Sequence, residues 1–117
     1  MDTNIPSPEP TPPAGPVRPG FTPEHLLPVL AEPNRYRLLE QFMDGTPHSA
    51  ADLARTLGRG RMATSKHLAC LRTAGLIEQC AHTRDRRTTC YRLVPAFVPP
   101  SGAPRVLDFG WCVLRFG

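Results

Sequence analysis

Apolar positions recur at helical spacing along four stretches of the chain, and at strand spacing after them. In "EPNRYRLLEQFMDG", Leu38, Leu39, Phe42 and Met43 fall on one side of a helix and should face a core. Glu32 can cap that helix, Pro33 opens it and Gly45 ends it. Upstream, Leu26, Leu27 and Leu30 form the apolar side of a helix that starts at Thr22, with Pro23 at the first helical position. Pro28 falls inside it, so this helix is expected to be short or kinked. A third helix starts at Ser49, where Ser49 and Asp52 have the spacing of a capping box. Leu53 and Leu57 point inward, and Gly58 is the stop. A fourth runs from about Arg61 to Thr73 on Thr64, Leu68 and Leu71, with Gly75 as its stop.

Beyond Gly75 the pattern changes. "LIEQCAH" and "TTCYRLV" read as two strands around "TRDRR". With Asp85 at the tip, Ile77 faces Leu93, Glu78 faces Arg92 and Cys80 faces Cys90. That register places Ile77, Tyr91 and Leu93 on the core face and a Glu–Arg pair on the outer face. Two helices separated by "GRG" form a helix-turn-helix, and the hairpin after them is a wing. The expected fold is therefore mainly α with a β-hairpin, a winged helix-turn-helix.

The flanks differ in character. Eight of the 15 prolines lie within the first 23 residues, so residues 1–20 read as a Pro-rich tail unable to bury enough apolar surface to order itself. Residues 21–94 hold the winged domain. Residues 95–117 are a Pro-rich connector, "VPPSGAP", and an apolar end, "RVLDFGWCVLRFG". This end suits either a short helix or a strand, and is expected to serve as dimer interface or as a cover over the core. A folded part of roughly ninety residues gains from dimerising. Neither a signal peptide nor a span long enough for a membrane is visible, so a cytoplasmic location is expected. There the four cysteines would be thiols rather than a disulfide framework.

Charge sharpens the picture. Residues 1–50 carry three arginines against six acids, net −3, whereas residues 51–117 carry eleven basic residues against four acids, net +7. A basic half on so small a chain points to a polyanionic partner, most often nucleic acid.

The stretches "LAEPNRYRLLEQF", "SAADLARTLG", "TSKHLACLRTAGLIE" and "CYRLV" resemble the arsenical-resistance repressor (ArsR) type of winged helix-turn-helix regulator, over about residues 22–94. The likeness is strongest at Ser65, His67, Leu68, Leu71, Ala74, Gly75 and Leu76. It implies a dimeric transcriptional regulator on double-stranded DNA, binding a partly palindromic operator and released by an effector whose chemistry the motif leaves open. The family's metal sites do not carry over. The helix before the recognition helix, "SAADLARTL", holds no cysteine, and the C-terminal end has Asp108 but no histidine. Arg59 stands where the family has an apolar residue.

On this reading the first turns of helix 61–74 enter the major groove. Arg61, Met62, Ser65 and Lys66, with Ala69 beyond them, lie opposite Leu68 and Leu71. Arg61 has the fork for guanine O6 and N7, Met62 suits a thymine methyl, and Ser65 and Lys66 suit phosphates as well. The wing, residues 83–87, offers Arg84, Arg86 and Arg87 to phosphate or the adjacent minor groove. The plain alternative for both sets is a solvated face. His67, beside core Leu68, reads as packing or phosphate binding rather than a metal ligand.

Cys70 reads as a small buried hydrophobe. Cys80 and Cys90 are a candidate redox pair, with inert thiols and, together with His82, a zinc site as the other readings. A strand–turn–strand lacks the C-x-x-C knuckle of a zinc site. No metal or other cofactor is expected. No Gly-rich phosphate loop, paired carboxylates or nucleophile–base spacing marks an enzyme. Against a sequence-specific regulator stands one alternative, a winged-helix interaction module without specific DNA binding.

Overall fold

The computed structural model describes residues 21–81 and 88–116. In chain order these form α1 (Pro23–Leu30), α2 (Pro33–Phe42), β1 (His48–Ser49), α3 (Ala50–Leu57), α4 (Arg61–Thr73), β2 (Ile77–Ala81), β3 (Thr89–Leu93), a 3-10 turn at Pro95–Phe97, β4 (Val106–Asp108) and β5 (Val113–Arg115). The Pro-rich tail 1–20, His82 and the wing tip with Arg84, Arg86 and Arg87 lie outside the described residues.

Each helix starts and stops where local chemistry dictates. Thr22 is the N-cap of α1, but its hydroxyl sits 2.8 Å from His25 Nδ1 and caps no backbone amide. Glu32 caps α2 by accepting from the Asn34 amide at 2.5 Å. Ser49 Oγ accepts from the Asp52 amide at 3.1 Å at the head of α3. The capping box is not closed from the other side, because the Asp52 carboxylate turns to Arg55. The two helices of the helix-turn-helix end alike. After α3, the Gly58 amide reaches Arg55 O and the Arg59 amide reaches Ala54 O. After α4, the Gly75 amide reaches Arg72 O and the Leu76 amide reaches Leu71 O. Both are Schellman closures with glycine in the left-handed region, Gly58 at φ 65 and Gly75 at φ 85.

The wing strands pair in the expected register, with Ile77 opposite Leu93, Glu78 opposite Arg92 and Cys80 opposite Cys90. The Arg92 Nε to Glu78 Oε2 distance is 2.8 Å. Sequence reading missed β1, two residues that pair with the far side of β3 and make the sheet three-stranded in the order β1-β3-β2. As a result β3 is central, and Cys90 lies between Cys80 and Ser49 at 1% exposure, although it shares the face of the Glu–Arg pair.

The C-terminal end is a second hairpin. Leu107 pairs with Leu114 and Asp108 with Val113. Gly110, at φ 90, takes the first position of the two-residue turn, and Asp108 Oδ1 accepts from its amide at 2.8 Å. Phe109, Leu107 and Phe116 are buried with Leu26, Leu38, Leu39, Phe42, Leu68 and Leu71 in one core. Phe109 stacks on Phe21 and meets Phe97 edge to face, and Phe116 stacks on Tyr36 of α2. The hairpin thus packs against α1, α2 and the 3-10 turn, alternating as a strand does around its glycine.

Candidate nucleic-acid interface

Helix α4 has two unlike sides because its period of 3.6 residues separates two sets of positions. Thr64, Leu68 and Leu71 are buried, and Thr64 Oγ1 donates to Gly60 O at 3.0 Å. Arg61, Met62, Ser65 and Lys66 are all exposed, and successive pairs three and four residues apart share one face. Among the described residues, none of these four side chains makes a hydrogen bond or an ion pair. Met62 is the most exposed large apolar side chain among the described residues, at 80%. Ala69 continues this face, also exposed, whereas Cys70 is half-buried behind it and not the fully buried hydrophobe expected.

The orientation of α4 is held by a contact with no sequence signature. Arg35 of α2 donates through Nη1 to the carbonyl oxygens of Pro28 and Val29, at 3.2 and 3.1 Å, which α1 leaves unpaired near its end. Its Nε donates to His67 Nδ1 at 3.3 Å. His67 thus has a structural partner, and one guanidinium ties α1, α2 and the recognition helix together. The Glu32 carboxylate nearby is held below the usual range chiefly by the Asn34 amide, against a contrary influence of burial, with smaller contributions from His67 and Arg35.

The opposed cysteines have a geometry that sequence alone could not define. The Val94 amide donates to Leu76 O at 3.1 Å, making that pair a hydrogen-bonded one. Alternation along the ladder gives the same character to Glu78–Arg92 and Cys80–Cys90. Such pairs set their Cβ atoms near the upper end of the ~4.5–5.5 Å range, against ~3.8 Å in a disulfide. All four cysteines are free thiols. Burial pushes both wing thiols above the ordinary range, only partly offset at Cys80 by Arg92. Among the described residues no group of three or more His, Cys, Asp or Glu side chains is placed to hold a metal ion. No described helix is long and apolar enough to cross a membrane.

Residues 30–80 match a family model described as a helix-turn-helix domain. No curated protein matches the chain. Among solved structures, reduced HlyU from Vibrio cholerae is 30% identical with a TM-score of 0.52, over 60% of this chain and 70% of that one. The transcriptional regulator HlyU from Vibrio vulnificus is 28% identical, TM-score 0.52, over 60% of this chain and 69% of that one. The transcriptional repressor BigR from Xylella fastidiosa is 29% identical, TM-score 0.53, over 62% of this chain and 70% of that one. The turn between α3 and α4, the wing register and these likenesses converge, and the chain belongs to the ArsR-type winged helix-turn-helix family of DNA-binding transcriptional regulators.

Proposed function

We propose that this regulator is a homodimeric repressor that reads a two-fold operator, with one α4 in each of two successive major grooves. The observation that carries the reading is the exposed face of α4. Arg61, Met62, Ser65 and Lys66 stand there without partners among the described residues, on a helix held firmly from behind. Arg61 reads guanine with its fork, Met62 packs on a thymine methyl, and Ser65 and Lys66 bind phosphate. Arg84, Arg86 and Arg87 of the wing add phosphate or minor-groove contacts. Repression is supported by the likeness to BigR, itself described as a repressor.

Residues 21–94 make up the DNA-binding unit. Residues 95–117 cover the core, and their exposed Trp111 and Val113 (36% and 56%) supply apolar area to the dimer. The protein acts in the cytoplasm, needs neither cofactor nor metal, and catalyses nothing.

Fluorescence anisotropy on the DNA upstream of its own gene, against a scrambled duplex at two salt concentrations, tests the reading. A preference of ~10³ or more for the upstream DNA is expected. Equal, weak, salt-sensitive binding to both duplexes would instead favour a winged-helix module that docks a protein.

A further inference from the structure

Helices α1 and α4 run antiparallel and leave a groove between them. At one end Arg35 links the last carbonyls of α1 to His67 in the first half of α4. At the other, Phe21, just before α1, lies so close to Gly75 that a Cβ there would meet its Cζ at 3.2 Å. The groove holds about 510 Å³, within the ~300–1,000 Å³ typical of small-molecule sites. Leu26 and Val29 of α1 and Ala69 and Ala74 of α4 give it apolar walls. Lys66 stands at one end and His25 toward the other, and no carboxylate lines it. Lys66 makes no ion pair among the described residues.

We infer that this groove binds an amphipathic organic acid, its carboxylate on Lys66 and its apolar body lying between α1 and α4. Charge selects the head group, since the site offers an unpaired ammonium and no acid. Shape selects the body. From Lys66 to Ala74 the helix advances ~12 Å, and a chain of about eight to ten atoms, extending roughly 8–11 Å at ~1.2 Å per bond, fills most of that length. His25, whose Nδ1 is engaged by the Thr22 hydroxyl, keeps Nε2 for a polar group at the far end of the ligand. Lys66 also belongs to the DNA-facing side, so the acid and a DNA phosphate compete for one ammonium. The ligand is then an inducer, and by linkage DNA weakens its binding by the same factor. This coupling rests on the proposed contact of Lys66 with DNA; binding of the acid does not.

Calorimetric titration of the DNA-free protein with octanoate tests the site, with octylamine and octanol as probes of the same length. Saturable binding of one octanoate per chain is expected, with octylamine and octanol binding at least tenfold more weakly. Thr73→Trp fills the groove from an exposed position in the last turn of α4, away from the N-terminal turns proposed to enter the major groove, and should abolish octanoate binding while leaving Tm and DNA affinity unchanged. Val29→Phe does the same from α1, should the first variant fold poorly. In anisotropy, saturating octanoate should weaken DNA binding of the wild type by about tenfold and leave that of Thr73→Trp unaltered. Absence of saturable octanoate binding overturns the proposal, as does equal binding of all three probes or undiminished binding by both variants. Octanoate that only dissociates a dimer, seen by sedimentation, would assign the groove to a second copy and overturn it too. A protein that takes up octanoate but never discriminates between duplexes would refute the operator reading and leave the groove standing.

Discussion

Ser49 shows how much a single residue decides. Its hydroxyl caps α3, its backbone belongs to β1, and it stands opposite Cys90 on the central strand. Ser49→Ala is expected to cost about 1 kcal/mol, within ~0.5–2, read from the shift of a urea unfolding midpoint at unchanged slope. Asp44 sits at the bend before β1. Burial, the largest single influence, raises its carboxyl, but hydrogen bonds from Thr46 and His48 together outweigh burial and hold it below the ordinary range. The lowered folded-state value means its stabilisation is complete above the unfolded range near pH ~3.9 and fades as pH falls through the lower folded value. Asp44→Asn should therefore lower Tm at pH ~7, by progressively less as the pH falls through the carboxylate's titration. The wing thiols carry a third expectation. Mild peroxide treatment, followed by non-reducing peptide mapping, should leave Cys80 and Cys90 unbridged, because a hydrogen-bonded cross-strand pair holds them too far apart and burial suppresses the thiolate. Recovery of the linked peptide in high yield would restore the redox switch to this pair.

Among the elements, the helix-turn-helix owes its geometry to matched endings. Gly58 and Gly75 supply left-handed closures that release the chain at the right angle, and Gly75 also makes room for Phe21. The second hairpin is tied in by side chains distant in sequence. Arg105 Nη2 donates to Glu40 O at 2.8 Å, and Trp111 Nε1 donates to Phe21 O at 2.5 Å. Phe109 at its turn is fully buried among Phe21, Phe97 and Trp111. Phe109→Ala should cost about 3–5 kcal/mol, a large share of the ~5–15 kcal/mol of a small domain. Loss of less than ~1 kcal/mol would mean that the hairpin does not hold the core.

For the whole molecule, the separation of negative and positive halves becomes a binding property. The basic residues are concentrated from residue 51 onward, in the part of the chain that holds α4 and the wing strands, and the two substitutions below test the proposed contact of α4 with DNA. Arg61→Ala should cost about 1–3 kcal/mol and relax discrimination at one base pair. Lys66→Ala should weaken all sequences alike and lower the salt slope by ~1. Two equal, sequence-blind losses would make Arg61 another phosphate contact.

Helix boundaries, the helix-turn-helix and the wing register were legible in the sequence because they rest on local rules. Proline at the first turn, glycine at the last, and alternation around a tip each act over a few residues. The exposed face of α4 was legible for the same reason, since a periodicity of 3.6 puts Arg61, Met62, Ser65 and Lys66 opposite Leu68 and Leu71. What escaped depends on partners far apart in the chain. Strand β1 is two residues long and exists only because β3 offers it an edge. The form of "RVLDFGWCVLRFG" stayed open between helix and strand until Phe21, Tyr36 and Phe97 selected a hairpin by burying Phe109 and Phe116. Arg35 carried no mark as the link between three helices, because its acceptors are two backbone carbonyls and a histidine 32 residues away. Local propensity and periodicity thus specified the elements and their faces, while long-range packing alone decided which edges, cavities and cross-helix hydrogen bonds those elements create.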